Sequence, residues 1–273
     1  MVDELEAGVV LGRRYRLDRR LDGGGMGIVW AASHVVTRRP VAIKLLRGQA
    51  DAQARARLLR EARASCAVEH PAVVPVVDVI DAGGAPALVM DLLNGESLRA
   101  RLTREGKIEA REAAAILAPV AAALAAAHAA GVVHRDVKPE NVFIAERGGE
   151  REIKVLDFGV AKILSTEERT SALTDTGAML GTPYYMSPEQ AFGERDVGPA
   201  ADAWALGVVL HECVTGARPT QADNLGQVIK LITQAPFPDL GDASPGTPRP
   251  LVLLARRLTE RDPSARERDL AEV

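Results

Sequence analysis

Cysteine is scarce: the 273 residues hold two, Cys66 and Cys213, far apart and without C-x-x-C spacing. That argues against a disulfide framework and is compatible with a reducing cytoplasm. Both thiols are expected to be buried, the usual place for a free cysteine. Excess positive charge is lacking too. Lys and Arg number 34 against 37 Asp and Glu, a formal net charge of −3, and no basic stripe gathers that would serve as a footprint for nucleic acid. The opening MVDELEAGVV is acidic and lacks the basic-then-apolar pattern of a secretory leader. The one long uncharged run, residues 113–133, is mostly alanine and is interrupted by Pro119 and His128. It reads as a buried helix of a soluble lobe rather than as a membrane span. There is no internal repeat, and no linker beyond the Pro/Gly-rich stretch 235–250. The G-x-x-x-x-G-K-[ST] phosphate loop is missing, and His34, His70 and His211 are not arranged to hold a metal.

What remains is a 29.0 kDa chain, 47% hydrophobic and 26% charged, able to bury a sizeable core in one large domain or two lobes. Its first third reads as strands. Tyr15, Leu17 and Leu21 alternate with Arg16 and Arg20, and Ile28–Ala31 and Val41–Leu46 are apolar runs of strand length. Residues 51–69 read as a helix ended by His70-Pro71, with Leu58, Ala62 and Cys66 at four-residue spacing. Strands follow over 73–81 and 86–92. After Asn94-Gly95 the period changes to helical over 96–104 and 110–130, and again over 201–215. Short strands are expected at 142–145 and 153–156, and an irregular polar segment at 160–183. The natural division is a β-rich part over 1–93 and a mainly helical part over 94–273.

Four stretches carry chemistry. The first is LDGGGMGIVW, residues 21–30, in which Asp22, Gly24 and Gly27 occupy the positions of a G-x-G-x-x-G loop. A dinucleotide fingerprint needs such glycines to open a helix. Here Ile28-Val29-Trp30-Ala31 continues as a strand, so a hairpin laid over a nucleotide is left. The second is Lys44, at the end of the apolar Val41-Ala42-Ile43. A buried amine there needs an anionic partner, and Glu61 on the following helix is the candidate. The third is His134-Arg135-Asp136-Val137-Lys138-Pro139-Glu140-Asn141, followed by Asp157-Phe158-Gly159. The fourth is Gly181-Thr182-Pro183-Tyr184-Tyr185 leading into Ser187-Pro188-Glu189.

In order and spacing these stretches match the protein-kinase signature set, and the chain resembles the bacterial, eukaryotic-like branch of the serine/threonine protein kinases over residues 11–270. The resemblance implies an α+β bilobal fold, with a small antiparallel β-rich lobe carrying one helix and a larger, mainly helical lobe. It implies ATP and Mg²⁺ as the nucleotide and metal, and protein Ser/Thr hydroxyls as acceptors. Asp136 would accept the hydroxyl proton and Lys138 would neutralise the γ-phosphate. Asn141 and Asp157 would hold Mg²⁺, and Lys44, fixed by Glu61, would grip the α- and β-phosphates. Asp22, Gly23, Gly24, Gly25, Met26 and Gly27 would form the loop over the nucleotide. Val29 and Ala42 would cover the adenine, with Phe143 beneath it and Met90 as gatekeeper, and the backbone of Asp91 and Leu93 would bond its edge. Thr182 would bond Asp136 and Lys138 when an acceptor is presented. Glu189 would pair with Arg266, and Asp202 would tie down the catalytic-loop backbone. Thr174 and Thr176 stand where bacterial relatives autophosphorylate, with Thr170 and Ser171 as weaker candidates and Arg135 as the receiver of that phosphate. Self-association for autophosphorylation in trans goes with that reading. So does a cytoplasmic location, either free or as the cytosolic part of a longer, membrane-anchored kinase.

Two positions depart from the family pattern. Asp22 replaces the first loop glycine, and Ser187 stands where alanine is usual. A pseudokinase scaffold on the same fold and a small-molecule phosphotransferase are the rival readings. Retention of Lys44, Glu61, Asp136, Asn141 and Asp157 opposes the first, and the Thr182–Glu189 segment opposes the second.

Overall fold

The computed structural model describes residues 5–22, 27–46, 66–82, 86–158, 183–194, 196–267 and 269–273. Gly23–Met26, Glu61, Thr170, Ser171, Thr174, Thr176 and Thr182 lie outside them. Six antiparallel strands, β1 (Val10–Leu11), β2 (Tyr15–Asp22), β3 (Gly27–His34), β4 (Pro40–Leu46), β5 (Val76–Asp81) and β6 (Pro86–Asp91), form a sheet in the order β1-β2-β3-β4-β6-β5. Successive side chains of a strand point to opposite faces, and β3 and β4 use this fully. Ile28, Trp30 and Ala32 join Val41, Ile43 and Leu45 in an apolar cluster on one face. Val29, Ala31, Ala42 and Lys44 alternate with them and so line the other. The register sets Val29 directly opposite Lys44 and Ala31 opposite Ala42.

The second part is mainly helical. A small sheet, β7 (Gly95–Ser97), β8 (Val142–Arg147) and β9 (Glu150–Val155), underlies α1 (Leu98–Glu105) and α2 (Ala110–Ala129). The chain then passes through the short α3 (Pro188–Ala191), α4 (Ala200–Thr215), α5 (Leu225–Thr233), the short α6 (Leu240–Ala243) and α7 (Arg249–Leu258). Helix α4 is apolar nearly all round, and all but its last residue are buried, as a helix at the centre of a lobe requires. Gly207 lets α7 approach it, since a Cβ there would meet Thr259 Cγ2 at 2.6 Å. Helix α2 is long and apolar enough to cross a membrane by length and composition. In the fold Ala113, Ile116, Val120, Ala121, Leu124 and Ala127 are buried in the core shared with α4.

Three expectations need correction. Residues 235–250 are not a linker: they contain α6, whose first residue Leu240 is 1% exposed and whose N-terminus is capped by Asp239. Cys66 is exposed, while Cys213 is buried. The general tendency of free cysteines to be buried does not hold for Cys66, which opens on a groove beside Glu69 and Val76. Helix α1 begins at Leu98 rather than at residue 96, because Gly95–Ser97 pairs with β8. Gly95, at φ +135°, is needed there, since a Cβ would lie 2.1 Å from the Ile144 carbonyl oxygen.

Candidate active site

The site lies where the second face of the six-stranded sheet meets the turn Pro139–Asn141 and the end of β9. Lys44 is 5% exposed, and its Nζ donates to Asp157 Oδ1 at 2.7 Å. Burial alone would raise the Asp157 carboxyl, but Lys44 outweighs it and holds the group below its usual range. Asp157 is therefore ionised at neutral pH. Its backbone is left-handed, with φ +59° at a residue other than glycine.

The catalytic-loop side chains converge on one carboxylate. Asp136 Oδ2 accepts from Lys138 Nζ at 2.7 Å and from Asn141 Nδ2 at 3.2 Å, and Asn141 Nδ2 also donates to the Asp136 carbonyl at 2.8 Å. Both side-chain contacts use one Asp136 oxygen, Oδ2. They also use the amide nitrogen of Asn141, which leaves its Oδ1 for a cation. The Leu156 N–H donates to the Asn141 carbonyl at 2.9 Å, setting Asn141 beside the segment that carries Asp157. One amide oxygen and one ionised carboxylate suit a hard divalent cation. Among the described residues no group of three or more His, Cys, Asp or Glu side chains converges.

The loop is held from behind. His134 is fully buried; its Nδ1 accepts from the Asp136 N–H at 3.3 Å, and its Nε2 lies 2.9 Å from the Leu156 carbonyl oxygen. With the proton on Nε2, both bonds are made at once. Asp202, also fully buried in α4, accepts from the backbone N–H of His134 at 2.9 Å and of Arg135 at 2.7 Å. His128 Nε2 adds a third contact to Asp202 at 2.8 Å, which gives this helix histidine a packing partner rather than a catalytic post. Arg135 Nη2 donates to the Val197 carbonyl at 2.7 Å.

The segment after Pro183 is anchored as firmly. Ser187 caps α3 in a capping box with Gln190, and the Gln190 amide donates to the Arg135 carbonyl at 2.9 Å. The serine that departs from the family's usual alanine is thus the N-cap of this helix. Glu189 and Arg266 form a bidentate pair at 2.8 and 3.2 Å, with side chains 5% and 0% exposed.

Around Lys44, Val29 lies opposite it across β3 and β4, and Ala42 pairs with Met90 and Val41 with Asp91 across β4 and β6. Phe143 pairs with Ser97 and Lys154 in the small sheet. Leu93 lies in the connection between β6 and β7. The backbone of Asp22 closes β2 and pairs with Val29, so the acid replaces a strand-end residue and not the tip of the loop. The expected contact of Lys44 with Glu61 falls outside the described residues. Sequence reading missed a further cluster formed by Arg99, Tyr185 and Glu212. The available signal was a glutamate inside the apolar helix α4, which is costly to bury unpaired.

The protein kinase domain family matches residues 15–267, and the chain belongs to it. Among individual relatives, it is 39% identical over 252 residues to the serine/threonine-protein kinase PknA of Mycobacterium tuberculosis, an alignment covering 90% of this chain and 57% of that protein. It is 39% identical over 270 residues to the serine/threonine-protein kinase pkn2 of Myxococcus xanthus, covering 97% of this chain and 32% of the relative. It is 38% identical over 254 residues to the serine/threonine-protein kinase PknH of Mycobacterium bovis, covering 92% and 41%. The chain thus spans about a third to rather more than half the length of these relatives.

Proposed function

We propose that this domain is a protein serine/threonine kinase that moves the γ-phosphate of ATP to Ser or Thr hydroxyls of proteins. The observation that carries the reading is the convergence of Lys138 and Asn141 on Asp136, beside the Lys44–Asp157 pair. Phosphoryl transfer through a loose transition state asks the protein mainly for positioning and charge neutralisation. Asp136, held by two donors on one oxygen, offers the other to the acceptor hydroxyl and takes its proton. Lys138, released from Asp136, neutralises charge on the group in flight. Lys44 grips the α- and β-phosphates from the sheet, between Val29 and Ala42, while Met90, Asp91, Leu93 and Phe143 frame the base. Asn141 and Asp157 would hold Mg²⁺, which supplies charge neutralisation across the phosphates.

In this reading residues 1–93 and 94–273 act as two lobes with the nucleotide between them. Thr174 and Thr176 are modified in trans by a second copy, with Arg135 receiving the phosphate. The greater length of the named kinases fits a cytosolic catalytic part of a longer protein. The test is incubation of the purified chain with Mg·ATP and a general protein acceptor, beside Asp136→Asn. Phosphoserine or phosphothreonine is expected with the wild type and at least ~100-fold less with the variant, while nucleotide binding is retained in both. Nucleotide binding without transfer by the wild type would replace the kinase by a scaffold.

A further inference from the structure

Away from the reacting groups, one guanidinium joins three elements distant in sequence. Ser97 caps α1 by accepting from the Ala100 N–H, and the fully buried Leu98 anchors its first turn, which fixes where Arg99 emerges. Arg99 Nε donates to Glu140 Oε1 at 2.9 Å, in the turn that also carries Asn141. Its Nη1 and Nη2 take the Glu212 carboxylate of α4 at 2.8 and 3.2 Å. Nη2 also donates to the Tyr185 hydroxyl, which in turn donates a hydrogen bond to Glu212 Oε2 at 2.5 Å. Glu212 is 4% exposed and Tyr185 4% exposed. Burial, reinforced by Glu212, raises the Tyr185 phenol above its usual range, so it stays a donor. The planar fork of an arginine matches two carboxylates and a hydroxyl at once, which a lysine ammonium cannot.

Stability alone does not account for this cluster, because replacing buried ion networks with apolar groups is often neutral or stabilising. Its connectivity does. Glu140 adjoins Asn141, which holds Asp136; Tyr185 stands two residues before Ser187, whose helix reaches back to Arg135 through Gln190. We infer that Arg99 is a positioning residue for phosphoryl transfer, fixing the catalytic-loop turn and the acceptor-seating segment at one relative position against α4. The inference rests on the kinase reading and adds to it the element that aligns acceptor and base.

The experiment measures kcat and KM, for ATP and for a protein acceptor, in wild type, Arg99→Ala, Arg99→Lys, Tyr185→Phe and the Arg99→Ala/Tyr185→Phe pair. A small misalignment of reacting groups should lower kcat/KM for the acceptor by about 10- to 100-fold in Arg99→Ala. The KM for ATP should stay within about twofold, because the nucleotide groups are untouched. Lysine should not restore the loss, and the double variant should be little worse than Arg99→Ala. Millimolar guanidinium ion should raise the activity of Arg99→Ala and leave the wild type unchanged. Equal losses toward ATP and acceptor without guanidinium rescue would overturn the inference, as would an unimpaired Arg99→Ala. Should Arg99→Ala fail to fold, Tyr185→Phe, which keeps the ring, decides: unchanged acceptor kcat/KM overturns it. A wild type that transfers no phosphate would instead sink the kinase reading itself.

Discussion

Replacing Arg266 by methionine tests the energetics of the fold most directly. Every N–H of this guanidinium is engaged. Nε donates to the Glu260 carbonyl at 2.6 Å, Nη1 to Glu189 Oε1 and the Ala200 carbonyl, both at 2.8 Å, and Nη2 to Glu189 Oε2 at 3.2 Å and the Arg261 carbonyl at 2.9 Å. Its plane also lies 5.2 Å over the Trp204 ring. Methionine keeps much of the packing against Trp204 and removes all five bonds. The dominant cost is the buried Glu189 carboxylate left alone, since breaking one partner of a buried pair costs about 3–5 kcal/mol. For a domain of this size that corresponds to roughly 6–20 °C in Tm, read by thermal and urea unfolding followed by far-UV circular dichroism. A second variant, Arg266→Met with Glu189→Leu, removes the stranded charge. It should recover part of the loss, with a coupling of about 0.5–3 kcal/mol between the sites. A single variant that loses less than about 1 kcal/mol would refute the claim that a desolvated charge drives the effect. A double variant that merely adds the two losses would do the same.

Two further outcomes follow from buried titratable groups. Burial lowers the pKa of His211 below the usual imidazole range, only partly offset by the Ala217 carbonyl and Glu212. The unfolded chain therefore binds that proton at a higher pH than the folded one, and stability falls as pH drops below about 6.5. Tm measured from pH 7.5 down to 5.5 should decline less steeply in His211→Gln, and parallel curves would exclude this histidine as a source of acid sensitivity. Burial, with Glu212, pushes the Cys213 thiol well above its ordinary range, whereas Cys66 is exposed. A thiol reagent should therefore label Cys66 alone in the native protein and both cysteines in denaturant. Native labelling of Cys213 at a comparable rate would contradict its burial.

Much of the site was legible because its residues sit in contiguous motifs whose spacing is set by local backbone. Asp136, Lys138 and Asn141 fall within six residues, and Lys44 announces itself as a charge closing an apolar strand. Arg99, Tyr185 and Glu212 were not legible. Their mutual contacts cross 27 to 113 residues of sequence, and no local pattern pairs them. Cys66 misled because the tendency of free cysteines to be buried is a statistical one that says nothing of the particular neighbours around a residue. The Pro/Gly content of 235–250 misled in the other direction: Asp239 and Leu240 supply a cap and an anchor, which suffice for one short helix. Ser187, where the family pattern has alanine, has a hydroxyl that accepts from the Gln190 N–H, a role its departure from the pattern did not announce.

The placement of acids inside α4 has a single physical explanation. Arg135 holds a left-handed backbone, φ +66°, that costs about 1–3 kcal/mol at a residue other than glycine. Such a conformation persists only where its surroundings over-determine it. Asp202 does this by accepting two consecutive backbone N–H groups, of His134 and Arg135. Gln190 closes the same residue from the other side through its carbonyl. Ten residues along the helix, Glu212 gathers Arg99 and Tyr185 around the far end of the same loop. Helix α4 is buried at the centre of the lobe's core, and its two buried carboxylates tie to it a loop whose own regular structure is one short turn, Pro139–Asn141. The loop is therefore strained at Arg135 but not free to relax, which keeps the Asp136 carboxylate in place.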